Sequence, residues 1–132
     1  MNGPVFRRID CLQIPVPDLE AGLAFYRDHL GHAVRWRSDT AVGLALPDSE
    51  SEIVLHLERP ELEANLLVSS VEEAAAAVAA SGGAIQVAPF DIPVGRCAVV
   101  RDPWGNRLVL LDLSRGLFTT DPEGRVTGTQ QA

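Results

Sequence analysis

The sequence predicts an α+β domain built from two βαβββ modules. Three observations carry that expectation. A run of strand, capped helix, glycine stop and three strands occurs twice, with a period of about fifty residues. Late in the chain a tight turn, Asp102-Pro103-Trp104-Gly105, joins two short apolar runs rich in Val and Leu. The chain has 132 residues, enough for one domain in which roughly two-thirds of the unfolded surface can be buried.

The first module spans about 8–58. Arg8 to Val16 reads as a strand. Leu12, Ile14 and Val16 alternate with Cys11, Gln13 and Pro15, so one face turns to a packed core and the other to something more polar. Asp18 can cap the helix that follows by accepting a bond from a first-turn N–H. Leu19, Leu23, Tyr26 and Leu30 recur at helical steps and form its apolar stripe. His29 suits the last turn, and Gly31 stops the helix by accepting positive φ. Three strands follow at Ala33 to Arg37, Ala41 to Leu46 and Glu52 to Glu58, with Ser38-Asp39 and Pro47-Asp48-Ser49 supplying turns.

Arg59-Pro60-Glu61 breaks the pattern, and the second module spans about 62–113. Glu63 to Ser69 is its first strand. Ser70 and Glu73 make a capping box ahead of an alanine-rich helix, Glu72 to Ala80. Ser81-Gly82-Gly83 ends that helix as Gly31 ends the first. Strands at Ala84 to Val87, Arg96 to Arg101 and Arg107 to Leu113 complete the module. Residues 114–132 form a C-terminal extension, either a small hairpin around Asp121-Pro122-Glu123-Gly124 or a loose tail.

A net charge of −7 argues against nucleic acid as a partner. No apolar run approaches the ~20 residues of a membrane span. Met1 to Asp10 shows no apolar signal-peptide core, so a reducing cytoplasmic setting is expected, with Cys11 and Cys97 as free, buried thiols.

Ile14-Pro15-Val16-Pro17-Asp18-Leu19-Glu20, with Phe25-Tyr26-Arg27-Asp28 and Leu30-Gly31 after it, resembles the opening of the vicinal oxygen chelate superfamily. That group contains glyoxalase I, bleomycin resistance proteins and extradiol dioxygenases. Asp102-Pro103-Trp104-Gly105-Asn106-Arg107-Leu108 is similar to its closing motif. The resemblance covers residues 8–113 and implies a cupped mixed β-sheet with the helices outside and a pocket inside. It also implies metal-ligand positions on the first and last strand of each module, here Cys11, His56, Glu63 and Val109. Of these, His56 and Glu63 are ligand types usual in the family, Cys11 is unusual, and Val109 cannot coordinate.

Two function classes follow. The first is a small-molecule-binding protein with a degenerate metal site, metal-free by preference. The alternative is a metal-dependent lyase, isomerase or dioxygenase using Cys11, His56 and Glu63, with zinc favoured by the thiolate. A structural domain that uses its sheet only for pairing is a third. His56 and Glu63 are the candidate catalytic pair, as acid and base if adjacent; a buried hydrogen-bonded pair without turnover is the plainer reading. Gln13, Trp36, Asn65 and Arg96 are further candidates to line the cup. Trp36 could do so by stacking on a planar ligand, or could be core; Arg96 could instead sit in a surface ion pair. Typical glyoxalase I activity is not expected. Family habit and the open sheet edges of two small modules suggest a homodimer.

Overall fold

A computed structural model describes residues 3–130. Met1, Asn2, Gln131 and Ala132 lie outside that range, and with them the last two residues of the expected 114–132 extension. The class is α+β, and the twofold repeat is visible in the strand pairing. In the first module, β1 (Arg8–Pro15), β2 (Val34–Arg37), β3 (Ala41–Leu46) and β4 (Ser49–His56) lie in the order β2-β3-β4-β1. There β1 pairs in parallel with β4, and the other neighbours are antiparallel. The second module repeats the rule with β5 (Glu63–Leu67), β6 (Ala84–Ile92), β7 (Gly95–Arg101) and β8 (Arg107–Leu111), in the order β5-β8-β7-β6. Here β5 and β8 are the parallel pair.

Each module packs its helix on one face of its strands. Asp18 caps α1 (Leu19–Leu23) through a 2.7 Å bond from the Ala21 N–H. Leu19 and Leu23 then bury against Val42, Leu44 and Leu55. The helix does not keep its α pitch. Ala24–His29 is π-helical, with the Leu30 N–H reaching the Phe25 carbonyl at 3.0 Å. That wider turn breaks the expected stripe: Tyr26 still packs on the core, whereas Leu30 is exposed. Gly31 ends the segment at φ +87°.

In the second module Ser70 accepts the Glu73 N–H at 3.2 Å and starts α2 (Val71–Ala80). Val71, Ala74 and Ala75 pack on Val68, Ala98, Val100 and Leu110. The turn between β7 and β8 closes as its residues predict. The Gly105 N–H bonds to the Asp102 carbonyl at 3.0 Å, and Gly105 takes φ +89°. The Asp102 carboxylate collects the N–H groups of Trp104 and Asn106.

Two strands run longer than expected. β4 starts at Ser49 because Leu46 and Ser49 pair directly across Pro47-Asp48. β6 continues to Ile92 through Pro89, where register shifts between Ile85 and Phe90 absorb the missing donor on an edge strand.

Part of the C-terminal extension folds as a hairpin of β9 (Leu117–Thr120) and β10 (Val126–Gln130). Phe118–Gly128 belongs to the compact unit that also contains Asp10–Glu63. It docks on the β2 edge, where the Arg37 N–H bonds to the Gly124 carbonyl at 2.7 Å. Ala64–Leu117, with the segment before Asp10 and the end of β10 from Thr129, forms the other unit.

Candidate functional site

Strand alternation sorts the first module into two faces. Ile14, Val16, Ile53, Leu55, Val42 and Leu44 take the helix face. Cys11, Ala41 and Val54 form a separate cluster on the helix-free face, with Trp36 packed on it. A register shift between Val34 and Trp36 sends Val34 to the helix side with Leu44 and turns Trp36 to the other side, opposite Gly43. The indole lies flat over Gly43, and a Cβ at that position would run into the ring. Its Nε1–H donates to Glu52 Oε1 at 3.0 Å, and Phe118 stands against the ring with centroids 5.0 Å apart.

Cys11 pairs directly with Glu52 across the β1–β4 ladder. The thiol is buried and receives a 3.4 Å contact from the Gln13 amide. Burial, reinforced by the negative charge of Asp10, pushes its pKa up to about 12, so it stays protonated at neutral pH. Burial also raises the Glu52 carboxyl, against the opposing pull of the Trp36 bond and of Arg35.

His56 stands farther along the same ladder, opposite Pro15. Cys11 and Pro15 are four positions apart on β1, which at strand rise is ~13 Å. The His56 side chain is 0% exposed. Its Nδ1 accepts the Glu58 N–H at 3.2 Å, so the neutral ring carries its proton on Nε2. Burial first, then the charge of Arg59, holds its pKa below 6.5. That Nε2–H is buried and meets no hydrogen-bond acceptor among the described residues. Glu63, also buried, bonds through Oε1 to Arg59 Nε at 2.8 Å. An open groove of about 500 Å³ begins where these strands end, lined by Pro15, Val16, Pro17, Leu57, Arg59 and neighbours.

Asn65, Arg96 and Val109 belong to the other unit. Asn65 pairs with Val109 and shares its helix-free face, which Cys97, Val99 and Ile92 make apolar. Arg96 is held in surface ion pairs, with Glu72 at 2.7 Å and Asp91 at 2.9 Å.

The donor set implied by the resemblance does not fit a divalent metal in this arrangement. Among the described residues no three His, Cys, Asp or Glu side chains stand together as a metal-binding group. The ladder separates Cys11 from His56. A histidine that ligates through Nε2 donates its Nδ1–H to a neighbour, whereas His56 Nδ1 is an acceptor. Sequence reasoning missed Glu52 and Phe118. Alternation along β4 was a usable signal for Glu52, since it shares parity with Val54 and His56; nothing local marked Phe118.

The family model for the Glyoxalase/Bleomycin resistance protein/Dioxygenase superfamily matches residues 8–110. Solved structures share the fold. Methylmalonyl-CoA epimerase from Mycobacterium tuberculosis is 18% identical with a TM-score of 0.65, over 85% of this chain and 91% of that one. A superfamily member from Vibrio splendidus 12B01 is 21% identical with a TM-score of 0.60, over 77% and 95%. Homoprotocatechuate 2,3-dioxygenase from Brevibacterium fuscum is 20% identical with a TM-score of 0.61, over 83% of this chain and 37% of that one. No curated protein matches the chain at a significant level. Among the described residues no helix is long and apolar enough to cross a membrane.

Proposed function

The chain belongs to the glyoxalase/bleomycin resistance protein/dioxygenase superfamily, and from that premise we propose that it is a small-molecule-binding member with a degenerate metal site. The ligand is taken by the helix-free face of the first module, with His56 as its principal donor. One observation carries this reading: a neutral imidazole, buried to 0% exposure, whose Nε2–H meets no acceptor among the described residues. A buried donor left unmatched costs on the order of 1–3 kcal/mol, and a ligand carbonyl or carboxylate would relieve it. The groove lined by Pro15 and Arg59 lies beside His56, at the ends of β1 and β4. Glyoxalase I chemistry is not expected, because it needs several metal ligands and a base, and Val109 supplies neither. The alternative reading uses the same two buried side chains, His56 and Glu63, as an acid–base pair.

The test uses protein purified without a metal-affinity step. Elemental analysis should find no stoichiometric zinc, iron or nickel. The naphthyl ketone 6-propionyl-2-(dimethylamino)naphthalene, a planar fluorescent probe with one carbonyl acceptor, should bind saturably. His56→Ala should weaken that binding roughly tenfold while leaving the circular dichroism spectrum intact. Stoichiometric zinc, together with isomerisation of the methylglyoxal–glutathione adduct that His56→Ala abolishes, would sink the proposal.

The same reading places the protein in the reducing cytoplasm as a homodimer. Besides the family habit, β6 supports this as an outer strand carrying the exposed side chains Ile85, Val87 and Phe90. Light scattering at micromolar concentration should give twice the 14.2 kDa chain mass; a monomer mass contradicts it.

A further inference from the structure

The C-terminal hairpin lies outside the βαβββ repeat, yet it reaches the face assigned to the ligand. Trp36 has two ring faces. One is closed by the backbone at Gly43, and its Nε1–H edge is fixed on Glu52. On the ring stands Phe118, at a centroid distance of 5.0 Å and an interplanar angle of 52°. That tilt is neither an offset stack nor an edge-on contact, the two arrangements aromatic pairs prefer.

Among the described residues, few polar contacts tie Phe118–Gly128 to the strands it docks on. One is a backbone bond at 2.7 Å, from Arg37 to Gly124. The hairpin adds a bridge between Arg37 and Arg125, and an ion pair between Arg125 and the exposed Asp39 at 3.6 Å. Exposed pairs of that kind add little, and a two-stranded hairpin has marginal stability by itself. Gly116, at φ +99°, provides a bend immediately before β9. Behind Trp36 the face is shut off from solvent, with Cys11 at 4% and Val54 at 3% exposure. Trp36 itself is half-buried, and the part of its ring that Phe118 covers becomes available to a planar molecule when Phe118 leaves.

Resting on the small-molecule reading above, we propose that the hairpin is a displaceable plug: Phe118 holds the place over Trp36 that a planar aromatic ligand takes, so docking of the hairpin and binding of the ligand exclude one another. The plug sets the ligand class. A ring system must offer Trp36 more contact area than a phenyl group to displace it, which favours fused or extended planar molecules over single small polar ones.

The test uses the full chain with Trp104→Phe, which removes the other tryptophan, itself 84% exposed at the β7–β8 turn. The naphthyl ketone probe is titrated against this background and against the same chain with Phe118→Ala. The expected result is an affinity roughly three- to tenfold higher without the phenyl ring. Hydrogen exchange on the unaltered chain gives a readout independent of any variant: amides in 118–127 should exchange faster when the probe saturates. If the probe binds in a His56-dependent way but Phe118→Ala leaves affinity unchanged or lowers it, Phe118 is a fixed wall and the plug is overturned while the binding reading stands. Slower exchange in 118–127 on binding overturns the plug in the same way. If no variant binds the probe, both fall.

Discussion

Gly43→Val is expected to destabilise the protein by about 2–3 kcal/mol, a fall of roughly 10 °C in the thermal midpoint. The sign separates this from ordinary strand behaviour. Valine favours strands over glycine, so on an open strand the substitution would stabilise. Here the new side chain enters the space of the Trp36 ring. The indole has to lift, the bond to Glu52 breaks, and the contact with Phe118 goes with it. Thermal unfolding measures the loss, and a red shift of tryptophan emission in a Trp104→Phe background reports the lifted ring. A midpoint equal to or above wild type would show that Trp36 does not lie over Gly43.

Leu55→Ala and His56→Ala should behave differently although the residues are adjacent. Leu55 is fully buried between α1 and the sheet, packed with Leu19, Leu23, Val42 and Leu44. Its truncation should cost about 2–5 kcal/mol. His56 faces the other way, and its removal takes an unmatched N–H out of the interior, so the cost should be smaller, on the order of 1 kcal/mol. Acidity adds a second readout. Folding holds the His56 pKa below 6.5, so the unfolded chain binds the extra proton. The stability gained by keeping the ring neutral is complete above pH 6.5 and drains away as pH falls from there toward the folded value. Urea unfolding at pH 7.5 and 5.5 should show that loss in the wild type and less of it in His56→Ala. Equal slopes in both proteins would mean that His56 is not the group responsible.

Local chemistry was legible in the sequence, and long-range pairing was not. Asp18, Ser70, Gly31 and Gly82 mark helix ends through their own caps and dihedral freedom, so the repeat can be read without a partner strand. The π-helical turn at Ala24–His29 hides from such reading, because its residues suit an α-helix and the wider pitch appears only in the backbone bonds. The candidate site depended on register. Alternation puts Cys11, Gln13, Trp36 and His56 on one face only once the shift at Val34/Trp36 is known. The parallel β1–β4 ladder alone shows Glu52, not His56, beside Cys11. Phe118 comes from a tail whose composition gives no hint of where it docks.

The docking of the hairpin on β2 has a consequence for biosynthesis. Arg37 and the residues that cover its backbone, Gly124 and Arg125, are separated by most of the chain. A ribosome adding about 5–20 residues each second needs roughly five to twenty seconds to travel between them. Throughout that interval the nascent first module carries β2 with its outer backbone groups uncovered, a template for pairing with other chains. Slower translation of the second half therefore lengthens the period of greatest aggregation risk, and a chain stalled before Gly124 never leaves it.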